Sequence, residues 1–124
     1  MKHQNVIWSA GLCLLATNLP AGALDGRYRV EGQNPGQAQA YRGEAVVKRT
    51  GETYSLVWQI GSGRQIGTGV LTGSVLSVVF QGVGSQASGV ASFETSGDRI
   101  VGGRWTMIGT QTTGTERWSP QDRP

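Results

Sequence analysis

The chain has 124 residues, 11 Lys and Arg against 8 Asp and Glu for a formal net charge of +3, and 20 glycines, but only one His and one Cys. That length suits one domain and not two. Because His3 and Cys13 both lie near the start, the rest of the chain lacks the commonest general base, the thiol nucleophile and nearly all ligands for zinc or copper, and its singly spread basic residues form no clustered stripe of the kind that tracks nucleic acid.

In chain order, Lys2 and His3 make a short basic start, residues 6–15 are apolar apart from Ser9, and Pro20 precedes the small residues Ala21, Gly22 and Ala23. This three-part pattern predicts a secretory signal peptide over residues 1–23, cleaved after Ala23, and hence an exported protein, periplasmic or extracellular. The apolar stretch falls well short of the about 20 residues that a membrane-spanning helix needs. Cys13 follows Leu12 rather than a small residue, so it reads as part of the leader and not as a lipidation site.

Residues 24–124 form the expected single domain. Turn chemistry punctuates it at near-regular intervals: Asn34-Pro35, Thr50-Gly51, Gly61-Ser62-Gly63, Thr72-Gly73-Ser74, a Gly82 to Gly84 cluster, Ser96-Gly97-Asp98 and Gly109-Thr110. Gly supplies positive φ, and Asn, Asp and Ser bond their own neighbouring backbone. Between the turns lie runs at 26–31, 41–49, 52–60, 64–71, 75–81, 88–95, 99–108 and 111–119, rich in Val, Ile, Thr and Tyr and without helical periodicity, which predicts eight strands. Alternation puts Tyr54, Leu56, Trp58 and Ile60 on one face of the third run. In the seventh run it puts Val101, Gly103, Trp105 and Met107 together. Leu76, Val78 and Phe80 share a face of the fifth.

Residues 50–69, TGETYSLVWQIGSGRQIGTG, nearly recur as residues 96–115, SGDRIVGGRWTMIGTQTTGT, at an offset of about 47 residues. Gly51 answers Gly97, Trp58 answers Trp105, Gly61 answers Gly109 and Gly67 answers Gly114. One hairpin cannot bury its apolar face alone, so a repeated hairpin implies closure of the copies against each other. Eight short strands with tight connections fit an all-β, eight-stranded up-and-down antiparallel barrel, because closure removes exposed edges. An eight-stranded β-sandwich has the same spacing and is the alternative fold.

The stretches Leu24-Asp25-Gly26-Arg27-Tyr28, Gly32-Gln33-Asn34-Pro35, Tyr41-Arg42-Gly43, Ile60-Gly61, Gly67-Thr68-Gly69 and Gly103-Arg104-Trp105 resemble a family of small secreted proteobacterial proteins, mostly uncharacterised and sometimes labelled fibronectin-binding. The resemblance runs through turn and core residues, so it implies the fold and not a chemistry. More remotely, the meander is similar to the avidin and lipocalin barrels. The Gly-x-Trp opening of lipocalins is Gly26-Arg27-Tyr28 here and an avidin-type biotin site has no match, so neither family's ligand carries over.

Candidate ligand-binding residues are the inward aromatics Tyr54, Trp58, Phe80 and Trp105, which either line a cavity or fill the core. Trp118 stands ready to close one end. The carboxylates Glu44, Glu52, Glu94, Asp98 and Glu116 are what a sugar hydrolase would use in a pair, but their spacing forces no two together, and they read as solvated residues paired with Arg. The expectation is a non-enzymatic binding module, without cofactor or metal, for a small apolar or amphipathic ligand. The alternative is a solid barrel that meets a protein partner with its outer face and with the loops at 32–40 and 82–88. A carboxylate-based hydrolase is the minor alternative.

Overall fold

The structure, a computed structural model, describes residues 22–121. The expected leader therefore lies outside the described residues except for Gly22 and Ala23. Eight strands follow in order: β1 (Gly26–Gln33), β2 (Ala40–Thr50), β3 (Thr53–Ile60), β4 (Gly63–Thr72), β5 (Val75–Gly82), β6 (Ser88–Ser96), β7 (Arg99–Met107) and β8 (Gly114–Pro120). Each pairs antiparallel with its chain neighbour, and β8 returns to β1 with Val30 opposite Trp118 and Gly32 opposite Glu116. The chain is a closed, eight-stranded up-and-down barrel. The sandwich is set aside.

Four connections are two-residue turns that begin on Gly51, Gly61, Gly73 and Gly97, with φ between 60° and 65°. A glycine adopts that φ at no steric cost, and the resulting turns match the right-handed twist of the strands they join. Three of these turns, at 51–52, 73–74 and 97–98, share one end of the barrel with the start of β1 and the end of β8. The longer connections at 34–39, 83–87 and 108–113 share the other end with the turn at 61–62.

The two ends are built differently. At the tight-turn end the segment before β1 folds over the barrel: Leu24 is fully buried, the Tyr28 hydroxyl donates to its carbonyl at 2.8 Å and accepts from the Ile100 N–H at 3.3 Å, and Asp25 Oδ1 accepts from the Arg49 N–H at 2.7 Å. Tyr54, Leu56, Leu76 and Ile100 fill the space beneath this plug. The middle is a cluster of rings, with Trp118 at 4.9 Å from Phe93, 5.1 Å from Tyr28 and 6.1 Å from Trp58 between centroids. Trp118 thus packs mid-barrel, and it is Leu24 that closes the end.

Two expectations need correction. A β-bulge opposite Glu94 and Thr95 makes Gly102 pair with Glu94 while Ile100 pairs with Thr95, so Val101 is the extra residue. Parity changes across it: Ile100 is fully buried, and Val101 lines an outer groove with Ser92 and Arg104 instead of joining Gly103, Trp105 and Met107 inside. Strand β8 begins at Gly114 and not at 111. Residues 108–113 are held as a loop by hydroxyls, with Thr106 Oγ1 2.6 Å from Thr110 Oγ1 and donating to the Thr112 carbonyl at 2.8 Å, and Thr110 Oγ1 donating to the Met107 carbonyl at 2.9 Å. Such bonds compete with the strand ladder.

The two copies of the sequence repeat are the β3–β4 and β7–β8 hairpins. They stand on opposite walls and face each other across the interior, separated on both sides by another hairpin. Their shared design is an aromatic ring over a glycine of the neighbouring strand: a Cβ on Gly67 would meet Trp58 Cζ3 at 3.0 Å, and one on Gly114 would meet Trp105 Cε2 at 2.5 Å. The other two hairpins do the same, with Gly32 under the Tyr41 ring and Gly89 under Phe80 Cζ at 2.6 Å. Each hairpin thus contributes one ring laid close to the wall, an arrangement known to strengthen glycine-containing sheets.

Candidate functional site

At the loop end the four rings do not fill the barrel. They leave a cavity of about 400 Å³, bounded by Tyr41, Trp58, Phe80, Phe93, Trp105 and Glu116, with Asn34, Gly63 and Gln65 at its rim and Ile60 and Met107 on its upper wall. Asn34 and Gly63 are exposed, so the mouth opens among the longer loops. The volume falls in the roughly 300–1,000 Å³ range of small-molecule sites.

Of the four residues expected at a site, three meet here. Trp58 is 3% exposed and lies 5.9 Å from Phe80, which is 6.3 Å from Trp105 in an edge-on contact. Tyr54 does not join them. It points inward as alternation requires, but it belongs to the tight-turn end, where the Arg49 guanidinium lies 5.9 Å from its ring centroid.

The polar centre of the cavity is Glu116. Strand β8 alternates Gly114, Glu116 and Trp118 inward against Thr115, Arg117 and Ser119 outward. Glu116 Oε2 accepts from the Tyr41 hydroxyl at 2.6 Å, and Oε1 accepts from Trp118 Nε1 at 2.9 Å and Trp58 Nε1 at 3.3 Å. Those donors come from β2, β8 and β3, so the carboxyl ties three strands together. Burial raises its pKa above the ordinary glutamate value of 4.5, against the opposing pull of the three donors. Burial and the adjacent carboxylate likewise push the Tyr41 hydroxyl far above its usual range.

Trp105 supplies the second polar feature. Its Nε1 is buried and makes no hydrogen bond, although the N–H dipole reaches the Tyr41 hydroxyl closely enough to favour its ionised form slightly. A buried donor without an acceptor is costly unless something in the site supplies one.

Among the described residues, no Lys or Arg lines this cavity. The basic side chains sit outside, as in the exposed ion pairs of Arg27 with Glu44 at 3.5 Å and of Glu31 with Arg42 at 3.6 Å and Arg117 at 3.2 Å. Such pairs contribute about 0–1 kcal/mol each. Glu94 lines an outer groove, and Glu44, Glu52 and Asp98 are exposed or half-buried on the wall and turns, so Glu116 is the one carboxylate among the cavity's lining residues.

No protein-family model, curated protein or solved structure matches this chain. Apolar walls, one half-buried carboxylate, one unpaired N–H and a mouth among the longer loops suit holding a small molecule. The described residues contain no group of His, Cys, Asp and Glu placed to hold a metal ion.

Proposed function

We propose that this is an exported, non-enzymatic binding barrel that holds a small amphipathic molecule in the cavity at its loop end. The observation that carries the reading is the cavity itself: Trp58, Phe80 and Trp105 surround about 400 Å³ left open at one end while the other end is plugged by Leu24. A barrel evolved only as a scaffold would gain stability by filling that space. Export is supported by the basic, apolar and small-residue order of residues 1–23.

The test is native mass spectrometry of the mature protein from its own host, with fluorescence titration of the purified protein by the neutral apolar probe N-phenyl-1-naphthylamine. An excess mass of small-molecule size that is lost on denaturation, or saturable probe binding displaced by host extract, is the expected result. A bare polypeptide mass together with no saturable probe binding would overturn the reading.

A second reading, contact with a protein partner, is favoured by one feature of the outer wall. Ile66, Val70, Val79 and Val90 on β4, β5 and β6 are each about half exposed, and β5 carries no charged residue. Loss of partner capture on substituting Val79 and Val90 by Lys, with the cavity untouched, would support it.

A further inference from the structure

We propose that the ligand of this cavity is an organic cation, a protonated amine or quaternary ammonium carried on a small apolar body, with a hydrogen-bond acceptor of its own. The proposal rests on the binding reading above and assigns the chemistry of the occupant.

Charge makes the first argument. An ionised carboxylate half-buried among rings, as Glu116 is, loses hydration that pairing or hydrogen bonding has to replace. Glu116 has three donors, all neutral, and a carboxylate offers about four acceptor sites. Oε1 already takes two bonds and Oε2 takes one, which leaves Oε2 able to receive another donor inside the cavity. The elements packed against it supply no counter-ion. Gly32 of β1 and Gly103 of β7 stand opposite Glu116, Tyr41 of β2 is the titratable side chain that bonds to it, and the charged residues flanking these positions, Glu31, Arg42, Arg104 and Arg117, alternate outward. The positive charge that would balance the site has to arrive with the ligand.

The walls make the second argument. Tyr41, Trp58, Phe80, Phe93 and Trp105 bound the same space, and the negative faces of such rings attract a cation, most strongly where water is excluded. A carboxylate and several rings around one small cavity recognise ammonium groups by both effects together. The unpaired Trp105 N–H supplies the third element, a donor for an ether, ester or carbonyl oxygen on the same ligand. The raised pKa of Glu116 adds a signature: a bound cation favours the ionised carboxyl, so binding should strengthen as pH rises through the titration of Glu116 and then level off.

The experiment compares benzyltrimethylammonium with its uncharged isostere neopentylbenzene on the mature protein, by calorimetry and tryptophan fluorescence from pH 4.5 to 8. The cation is expected to bind about tenfold tighter or more than the isostere, with affinity rising with pH. Glu116→Gln keeps the shape and the acceptor for the indole donors, and it should abolish both the cation's advantage over the isostere and the pH dependence. Trp105→Leu, which leaves Glu116 intact, should weaken the cation more than the isostere and keeps the test open if the first variant fails to fold. Equal or tighter binding of neopentylbenzene would overturn the cation assignment and leave the cavity reading standing. Binding of neither probe at millimolar concentration, with no co-purified small molecule, would overturn both.

Discussion

Replacing Trp58 by Ala and, separately, Trp105 by Ala separates a pillar of the core from a wall of the cavity. Trp58 is 3% exposed, its ring contacts Phe80, Phe93 and Trp118 at centroid distances of 5.9, 6.4 and 6.1 Å, and its N–H donates to Glu116. Removing a buried Trp costs about 3–5 kcal/mol. The lost bond to Glu116 adds to that, while the new void joins a space that water can enter, which offsets part of it, so the expected loss stays at about 3–5 kcal/mol. For a domain of this size each kcal/mol lowers Tm by about 4–8 °C, giving a fall on the order of 20 °C. Trp105 is only half-buried and its N–H is unpaired, so its loss should cost about 1–2 kcal/mol. Urea unfolding followed by far-UV circular dichroism, which does not depend on the deleted indole, measures both. Trp58→Ala costing less than Trp105→Ala, or less than about 1 kcal/mol, would refute the division of the barrel into a packed middle and an open end.

Two further outcomes test the site's energetics. Glu116 has a folded pKa above its unfolded one, so the native state holds that proton more tightly; its contribution to stability is full below about 4.5 and is lost as pH rises through the folded value. Glu116→Gln should therefore flatten stability across that window and be at least as stable as the wild type at pH 7, measured by urea midpoints against pH; an unchanged slope would place the carboxyl's titration elsewhere. A methyl added at Gly114 would lie 2.5 Å from both Trp105 Cε2 and the Gln33 carbonyl oxygen, so Gly114→Ala should cost about 1–3 kcal/mol and shift the Trp105 emission, whereas a change within about 0.5 kcal/mol would deny the close packing there.

The turns and strand faces were legible because glycine placement and two-residue alternation are local. Gly51, Gly61, Gly73 and Gly97 begin the tight turns, and Trp58, Phe80 and Trp105 point inward as their spacing implies. Depth along the barrel was not legible. Tyr54 and Trp58 share a face, yet one lies by the plug and the other beside the cavity, since height is set by the stagger of neighbouring strands. The bulge at Val101 arises from the pairing of β6 with β7, and Gly102, with a φ of 143° beside the extra residue, is its local sign in β7. Glu116, expected to be solvated and paired with Arg, was the costliest misreading. Its position between Gly114 and Trp118 on an alternating strand marked it as inward, but a carboxylate is by default solvated, and the phenol and indole donors of Tyr41 and Trp58, brought in from β2 and β3, join Trp118 of its own strand to make the interior tolerable for it. Tyr41 and Phe93 were passed over for a related reason: each is an isolated aromatic whose partners come from distant strands.

The pairing of four of the five cavity rings with a glycine across the strand boundary has a consequence for how such a site changes over generations. Gly32, Gly67, Gly89 and Gly114 lie beneath the rings and not in the space they enclose, yet each sets how far a ring can lean back into the wall. A single added methyl at one of them would press its ring toward the centre and narrow the chamber on that side. The shape of the chamber is thus written in residues that touch nothing inside it, and four positions with no chemistry of their own keep it as wide as these rings allow.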